Sequence, residues 1–117
     1  MTEALRYNDT KPELHRVMDF GSALEKVAKV MEMGAIKYED GNWLQGGKPD
    51  AEYLDSALRH ILAFQDLGQE EYDTDSGCHH LAHAAWNMLA LLRLNRDGAP
   101  DLAYGFDFDA YVDRWAE

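Results

Sequence analysis

Three stretches of this chain repeat apolar residues every three or four positions, and no stretch alternates them long enough to read as a strand. In "SALEKVAKVMEMGAIKY", Leu24, Val27, Met31 and Ala35 recur at helical spacing, with Ala28 and Val30 beside them. Ser22 and Glu25 have capping-box spacing, with Phe20 placed as a staple. A first helix is therefore predicted over about 23–38, after a short helical turn between His15 and Asp19. In "AEYLDSALRHILAFQDLG", Tyr53 or Leu54, Ala57, Leu58, Ile61, Leu62 and Phe64 form the apolar side. This predicts a second helix from Ala51 to about Leu67, capped by Asp50 and stopped at Gly68. The third is predicted from near Gly77 to about Asn95, with Leu81, Ala84, Ala85, Met88, Leu89 and Leu92 as core stripe. Asp75 or Ser76 would cap it. "EDGNWLQGGKPD", "QEEYDTDSG" and "RDGAPD" read as connections. A short fourth helix fits "DAYVDRWAE", with Tyr111 and Trp115 packing one turn apart. The expected fold is all-α, with three main helices and a small fourth.

A length of 117 residues suits one domain, 1–117, with an aromatic and acidic extension over 95–117. Twenty-two acidic residues stand against eleven Lys and Arg, a formal net charge of -11. A nucleic-acid polymer is a poor partner for such a surface, because neutralising phosphates needs a basic one. A small anion carried with a divalent cation remains compatible. Cys78 is the only cysteine, which excludes an intrachain disulfide, and it reads as a small residue at a helix start. The polar beginning "MTEALRYNDTKPEL" has no signal-peptide pattern and no apolar run reaches membrane-span length. A cytoplasmic protein without membrane contact is expected.

The segment "DTDSGCHHLAHAAWNML" carries most of the candidate chemistry. His80, His83 and Asn87 share one helix face, separate from the leucine stripe. Two histidines one turn apart can close on a cation, bond a phosphate when protonated, or simply form a polar face. His79 falls off that face and is expected toward solvent. Asp73 and Asp75 offer oxygens suited to Mg²⁺ or Mn²⁺, or make a solvated acidic turn. On the second helix Asp55 and Arg59 have ion-pair spacing, and His60 adjoins them. An Arg there could instead face a phosphate. In "KYEDGNW", Tyr38 or Trp43 could stack on a base, Asn42 could read its edge and Lys37 could meet a phosphate. The alternative is Trp43 folded back as a lid on the core. Lys11, in "NDTKP", is an isolated cation. The chain has no P-loop, no Gly-x-Ser-x-Gly, no Cys-x-x-Cys, no His-Glu-x-x-His and no His-Asp dipeptide.

In order, "RYNDTKP", "SALEKVAKVMEMGAIKYEDGNW", "LDSALRHILAF" and "DTDSGCHHLAHAAWNMLALL" resemble the small MazG-like proteins of phages described as dATP/dGTP diphosphohydrolases. The resemblance covers roughly residues 6–95, and within it the chain looks most like the MazZ type. It implies an all-α nucleoside-triphosphate pyrophosphohydrolase fold, a helical bundle completed by oligomerisation into a homo-dimer or homo-tetramer. It also implies cleavage of purine dNTPs, dGTP or dATP, to dNMP and pyrophosphate with Mg²⁺ or Mn²⁺, in phage nucleotide-pool remodelling. The wider superfamily pairs a Glu-Glu-x-x-Glu helix with a Glu-x-x-Asp helix, whereas this chain has "DSALRH" and "HLAH". His80 and His83 stand where the second motif's carboxylates would align. A carboxylate cage would have to come from Asp55, Asp73 and Asp75, with Glu25 or Glu39, or else the histidines hold phosphate. The expected set is then Asp73, Asp75, His80 and His83 at the metal, and Asp55, Arg59 and His60 as catalytic groups. Lys11, Lys37 and Arg59 would hold phosphate; Tyr38, Asn42, Trp43 and Asn87 would hold base or sugar. An HD-like triphosphohydrolase and a non-catalytic helical interaction module are the rival expectations.

Overall fold

The computed structural model describes residues 12–66, 71–95 and 108–115. A 3₁₀ helix, Leu14–Phe20, leads into α1 (Ser22–Lys37), and a second 3₁₀ turn, Asn42–Gln45, leads toward α2 (Asp50–Asp66). Then come α3 (His80–Leu94) and α4 (Phe108–Trp115). Among the described residues the only β-type pairing is an isolated bridge between Tyr72 and His79, so the architecture is all-α as expected. Lys11, Leu67, Gly68, Phe106 and the "RDGAPD" stop lie outside the described residues. Within α4, the Tyr111 and Trp115 rings lie 6.3 Å apart. No helix among the described residues is long and apolar enough to cross a membrane.

Three helix starts differ from expectation. Asp50, expected to cap α2, is its first helical residue. Gly21, at φ 56°, is the N-cap of α1, Ser22 is already helical, and no side chain caps that end. A positive φ turns the chain sharply out of the preceding 3₁₀ helix, a conformation glycine reaches without a Cβ clash. At α3 the cap is His79, whose Nδ1 accepts from the Leu81 N–H at 3.0 Å. The helix begins at His80, later than Gly77, because the backbone of 71–80 first closes into a tight hook. Asp73 N–H donates to Cys78 O, Gly77 N–H to Asp73 O and His80 N–H to Glu71 O, at 2.7–2.8 Å. His79 is thereby half-buried, its ring against Phe64 and Tyr72, and does not face solvent freely.

The helix faces hold the main correction. α3 packs on α2 and on α1. The buried residues of α2 are Tyr53 and Ala57, and those of α3 are His80, Ala82, Ala84, Asn87 and Ala90. Of the stripes expected to form the core, Tyr53, Ala57 and Ala84 are buried as expected, but the large aliphatic residues are exposed: Leu54, Leu58, Ile61 and Leu62 on α2, Leu81, Met88, Leu89 and Leu92 on α3. On α2 the exposed arc is turned by roughly 100° from Tyr53 and Ala57, the rotation of one residue. Small side chains explain the choice. Ala57, Ala84 and Ala90 let the α2 and α3 backbones approach, and the polar residues between them find hydrogen-bond partners. A separate apolar cluster of Val30, Cys78 and Ala82, flanked by Met33 and Trp86, joins α1 to α3. Cys78 is thus a core residue just before the helix. On α1, Val30 is the one buried residue and Met31 is exposed.

Candidate functional site

The seam between α2 and α3 gathers imidazoles. His60 from α2 faces His80 and His83 from the first turns of α3. The Nδ1 atoms of His60 and His80 are 2.9 Å apart, a hydrogen bond in which one ring donates and the other accepts. The His60 and His83 rings stack at 4.4 Å with an interplanar angle of 7°. The hook brings polar groups to the opposite edge of His83: Ser76 Oγ lies 2.7 Å from Nε2, and Asp73 Oδ2 lies 3.9 Å from it. The Ser76 backbone N–H donates to Asp73 Oδ2 at 3.0 Å, which fixes the carboxylate.

These neighbours set the charges. Burial pushes the His60 pKa down, and the nearby His83 and His80 lower it further. Burial also depresses His83, against the opposing pull of Asp73. For Asp73, burial raises the carboxyl pKa, but the Ser76 backbone and side chain, with His83 and His60, outweigh it and hold it below the usual value. The result is a half-buried carboxylate held ionised beside two imidazoles held neutral, a combination able to offer a negative oxygen and to accept a proton.

The remaining expected residues distribute around this centre. Lys37, at the end of α1, reaches Asp75 at 4.0 Å and so stands on the rim of the hook. Contact with Tyr38, then the charge of Asp75, raises its pKa. Asp75 is exposed and lies 4.0 Å from that lysine, with its charge also acting on His83. Asp55 and Arg59 are exposed on α2; neither pairs with the other or joins the cluster. Glu25 and Glu39 are exposed as well. Tyr38 and Asn42 are exposed on the connection after α1. Trp43 docks edge-on against Trp86, with centroids 5.8 Å apart at 77°, in the manner of a lid. Asn87 is buried in the seam, donating from Nδ2 to Ser56 Oγ at 3.2 Å and to His83 O at 2.8 Å. Among the described residues its Oδ1 is a buried acceptor with no hydrogen-bond partner. Sequence reasoning missed the contacts of Ser76 and Ser56, since nothing in a serine's spacing reveals what a folded hook places beside it.

Among the described residues no three His, Cys, Asp or Glu side chains converge to hold a cation. Of the expected ligands, Asp73 and His83 come within 3.9 Å, and the His83 nitrogen concerned is engaged with Ser76. Such a set does not cage an ion by itself. It does fit one that arrives with phosphate, because Mg²⁺ typically keeps water and phosphate oxygens and takes only one or two protein carboxylates.

No solved structure matches the chain. A Salmonella phage PMBT28 protein named dATP/dGTP diphosphohydrolase is 37% identical over 79 residues, covering 66% of this chain. The match spans 26% of that relative's own length. The model of the family described as "dATP/dGTP diphosphohydrolase, N-terminal" matches residues 1–100, so the chain belongs to that family.

Proposed function

We propose that this chain is a metal-dependent nucleoside triphosphate pyrophosphohydrolase acting on purine dNTPs, dGTP or dATP. Water attacks the α-phosphorus, the bond from that phosphorus to the bridging oxygen of the β-phosphate breaks, and dNMP and pyrophosphate leave. The observation that carries the reading is the α2–α3 seam, where the Asp73 carboxylate and neutral His60 and His83 meet beside Lys37 on the rim. Neutral imidazoles suit the proton released by the attacking water. Lys37 suits the charge of a triphosphate.

Of the four residues expected at the metal, the two aspartates are the better donors. His60 Nδ1 and His80 Nδ1 share one hydrogen bond and His83 Nε2 is bonded to Ser76, so these three nitrogens are already engaged, whereas ionised carboxylate oxygens keep lone pairs for an ion. Asp73 and Asp75 would hold Mg²⁺ or Mn²⁺, while the histidines face phosphate and protons. Such an ion supplies charge neutralisation at the phosphate oxygens. Tyr38 and Asn42 are the exposed groups available to a base, whereas Asn87 is sealed in the seam.

The leucine stripes support assembly with further copies of the chain as a homo-dimer or homo-tetramer. Stripes this apolar on two adjacent helices are costly to leave in water. Two α2–α3 pairs meeting on them make a four-helix bundle. Activity on phage nucleotide pools in the host cytoplasm follows from the same reading.

The test is product identity. Phosphorus NMR of dGTP and dATP incubated with the protein and Mg²⁺ or Mn²⁺ should show pyrophosphate and dNMP. Intact triphosphate would replace this reading with the HD-like one. No turnover, and no thermal shift with nucleotide or metal, would leave the interaction module.

A further inference from the structure

Phe64 continues the inner face of α2 but is not buried by it. Tyr53, Ala57, His60 and Phe64 follow at spacings of four, three and four, which puts them on one side of the helix. Tyr53 is 3% exposed and Phe64 37%. The difference has a cause in the fold. α3 begins only at His80, so past His60 the inner face of α2 runs on beyond the start of its partner helix. What meets Phe64 there is the cap residue His79, with ring centroids 5.5 Å apart. Tyr72, from the hook, meets the same imidazole edge-on at 5.3 Å and 72°, and is 54% exposed. Three aromatic rings therefore line the open end of the seam.

The hook holds two of them in place. Tyr72 and His79 pair as a bridge, with Asp73 N–H donating to Cys78 O and His80 N–H to Glu71 O. His79 Nδ1 accepts from the Leu81 N–H, which fixes its ring. The rings also stand at a set distance from the imidazoles. Phe64 is four residues after His60, and His79 is four before His83. The Phe64–His79 contact thus lies one step along the seam from the stacked His60–His83 pair. Four residues of helix rise about 6 Å, comparable to the span of a ribose between an α-phosphate and its base.

We propose that Phe64, His79 and Tyr72 are the stacking site for the purine base of a nucleotide whose phosphates lie at Asp73 and His83. The position of the phosphates rests on the function proposed above. A base suits this surface where a second anion does not, because a base is neutral and Glu71, Asp73 and Asp75 crowd the hook. Its flat face gains from aromatic rings held in place beforehand, since little side-chain freedom is lost on binding. A purine covers more of these rings than a pyrimidine does. Tyr38 and Asn42, the exposed groups after α1, are then left to the sugar.

Calorimetric titration of the full chain with Mg²⁺ separates base from phosphates when two ligands are compared. One is the α,β-methylene analogue of dGTP, which cannot be cleaved at that bond; the other is inorganic triphosphate, which has no base. Tyr72→Ala should raise the Kd of the analogue on the order of tenfold, the worth of one stacked base, and leave that of inorganic triphosphate unchanged. Tyr72→Phe should bind the analogue as the unmodified chain does. The thermal melt of Tyr72→Ala should stay close to that of the unmodified chain, because the side chain is mostly solvated. An unchanged Kd for the analogue in folded Tyr72→Ala overturns the proposal. So does an equal loss for inorganic triphosphate, a loss confined to Tyr38→Ala, or no binding of the analogue to the unmodified chain. Nothing is hydrolysed in this measurement. Absence of dNTP turnover would therefore sink the proposed function while the titration still decides the stacking site.

Discussion

The two faces of the α2–α3 pair invert the usual relation between polarity and burial. The inner seam holds His60, His80, His83, Asn87 and Ser56, each engaged with a neighbour. The outer face holds leucines that stay exposed among the described residues: Leu58 is 56% exposed and Leu92 71%. Hydrogen bonds satisfy the seam's polar groups pairwise within one protomer, Asn87 Oδ1 excepted among the described residues. The outer face needs a second apolar surface, because the hydrophobic effect acts only when water is removed from both. On the function and assembly proposed above, the inner face serves chemistry and the outer one assembly. Neighbouring residues on one helix should then respond differently to the same change.

Ala57 and Leu58 are the most severe instance. Ala57 is 2% exposed and faces the seam. Ala57→Asp forces an unpaired charge between two close helices and should cost about 3 kcal/mol or more, enough to unfold much of the protein in a thermal melt. Leu58→Asp, one residue later, should leave far-ultraviolet circular dichroism intact. Light scattering should instead show an oligomer reduced to protomers, with a loss of Tm that depends on concentration. Equal unfolding by both variants, or an unchanged mass for Leu58→Asp, breaks the comparison.

Rate separates the faces next. His83→Ala removes the imidazole between Ser76 and His60 and should lower kcat on the order of 10²-fold or more, with the oligomer intact. A variant with full activity and unaltered mass would remove the histidines from the mechanism.

These tests also mark what the sequence revealed. Helix existence, and ends such as that of α1 near Tyr38, follow from spacing and glycine punctuation. The buried face followed only in part: Tyr53, Ala57 and Ala84 of the expected stripes are buried, and the leucines beside them are not. Hydropathy identifies which residues must eventually leave water, but not whether the same chain or another copy covers them. Periodicity alone therefore took the Leu58 and Leu89 stripes for the protomer core, one residue's rotation from the seam. For the candidate site, His80, His83 and Asn87 were visible as one face of a single helix. Their meeting with His60 was not, because contact across helices depends on which alanines face each other. Ser76 was hidden for a different reason. Its place beside His83 depends on a hook closed by backbone hydrogen bonds and by Gly77 at φ 74°.

Acidification should weaken the seam before the outer face. Burial depresses the pKa of both His60 and His83. Once pH falls below about 6.5, the unfolded chain binds more protons at these positions than the folded one, so stability declines with falling pH. The contribution is whole above that value and is lost as pH drops through the lower folded-state values. Asp73, also depressed, keeps its contribution until pH falls below the usual carboxylate range. Melting curves with chelator present, from about pH 8 down to about pH 5, should show Tm falling over the lower part of that range. His60→Gln with His83→Gln should flatten the profile. An equally steep profile in the double variant would place the acid sensitivity outside the seam.

The smallest expected effect tests where the nucleotide-facing surface begins. Trp43 already spends its ring on Trp86, edge-on at 5.8 Å, whereas Tyr38 is 64% exposed. An aromatic pair of this geometry is worth about 1 kcal/mol beyond the area it covers. Trp43→Leu should therefore lower Tm by a few degrees and leave KM for dGTP nearly unchanged. Tyr38→Ala should do the reverse, raising KM with little change in Tm. If Trp43→Leu raises KM while Tm holds, the indole leaves Trp86 to meet the base, and the surface that contacts nucleotide extends from the seam to the loop after α1.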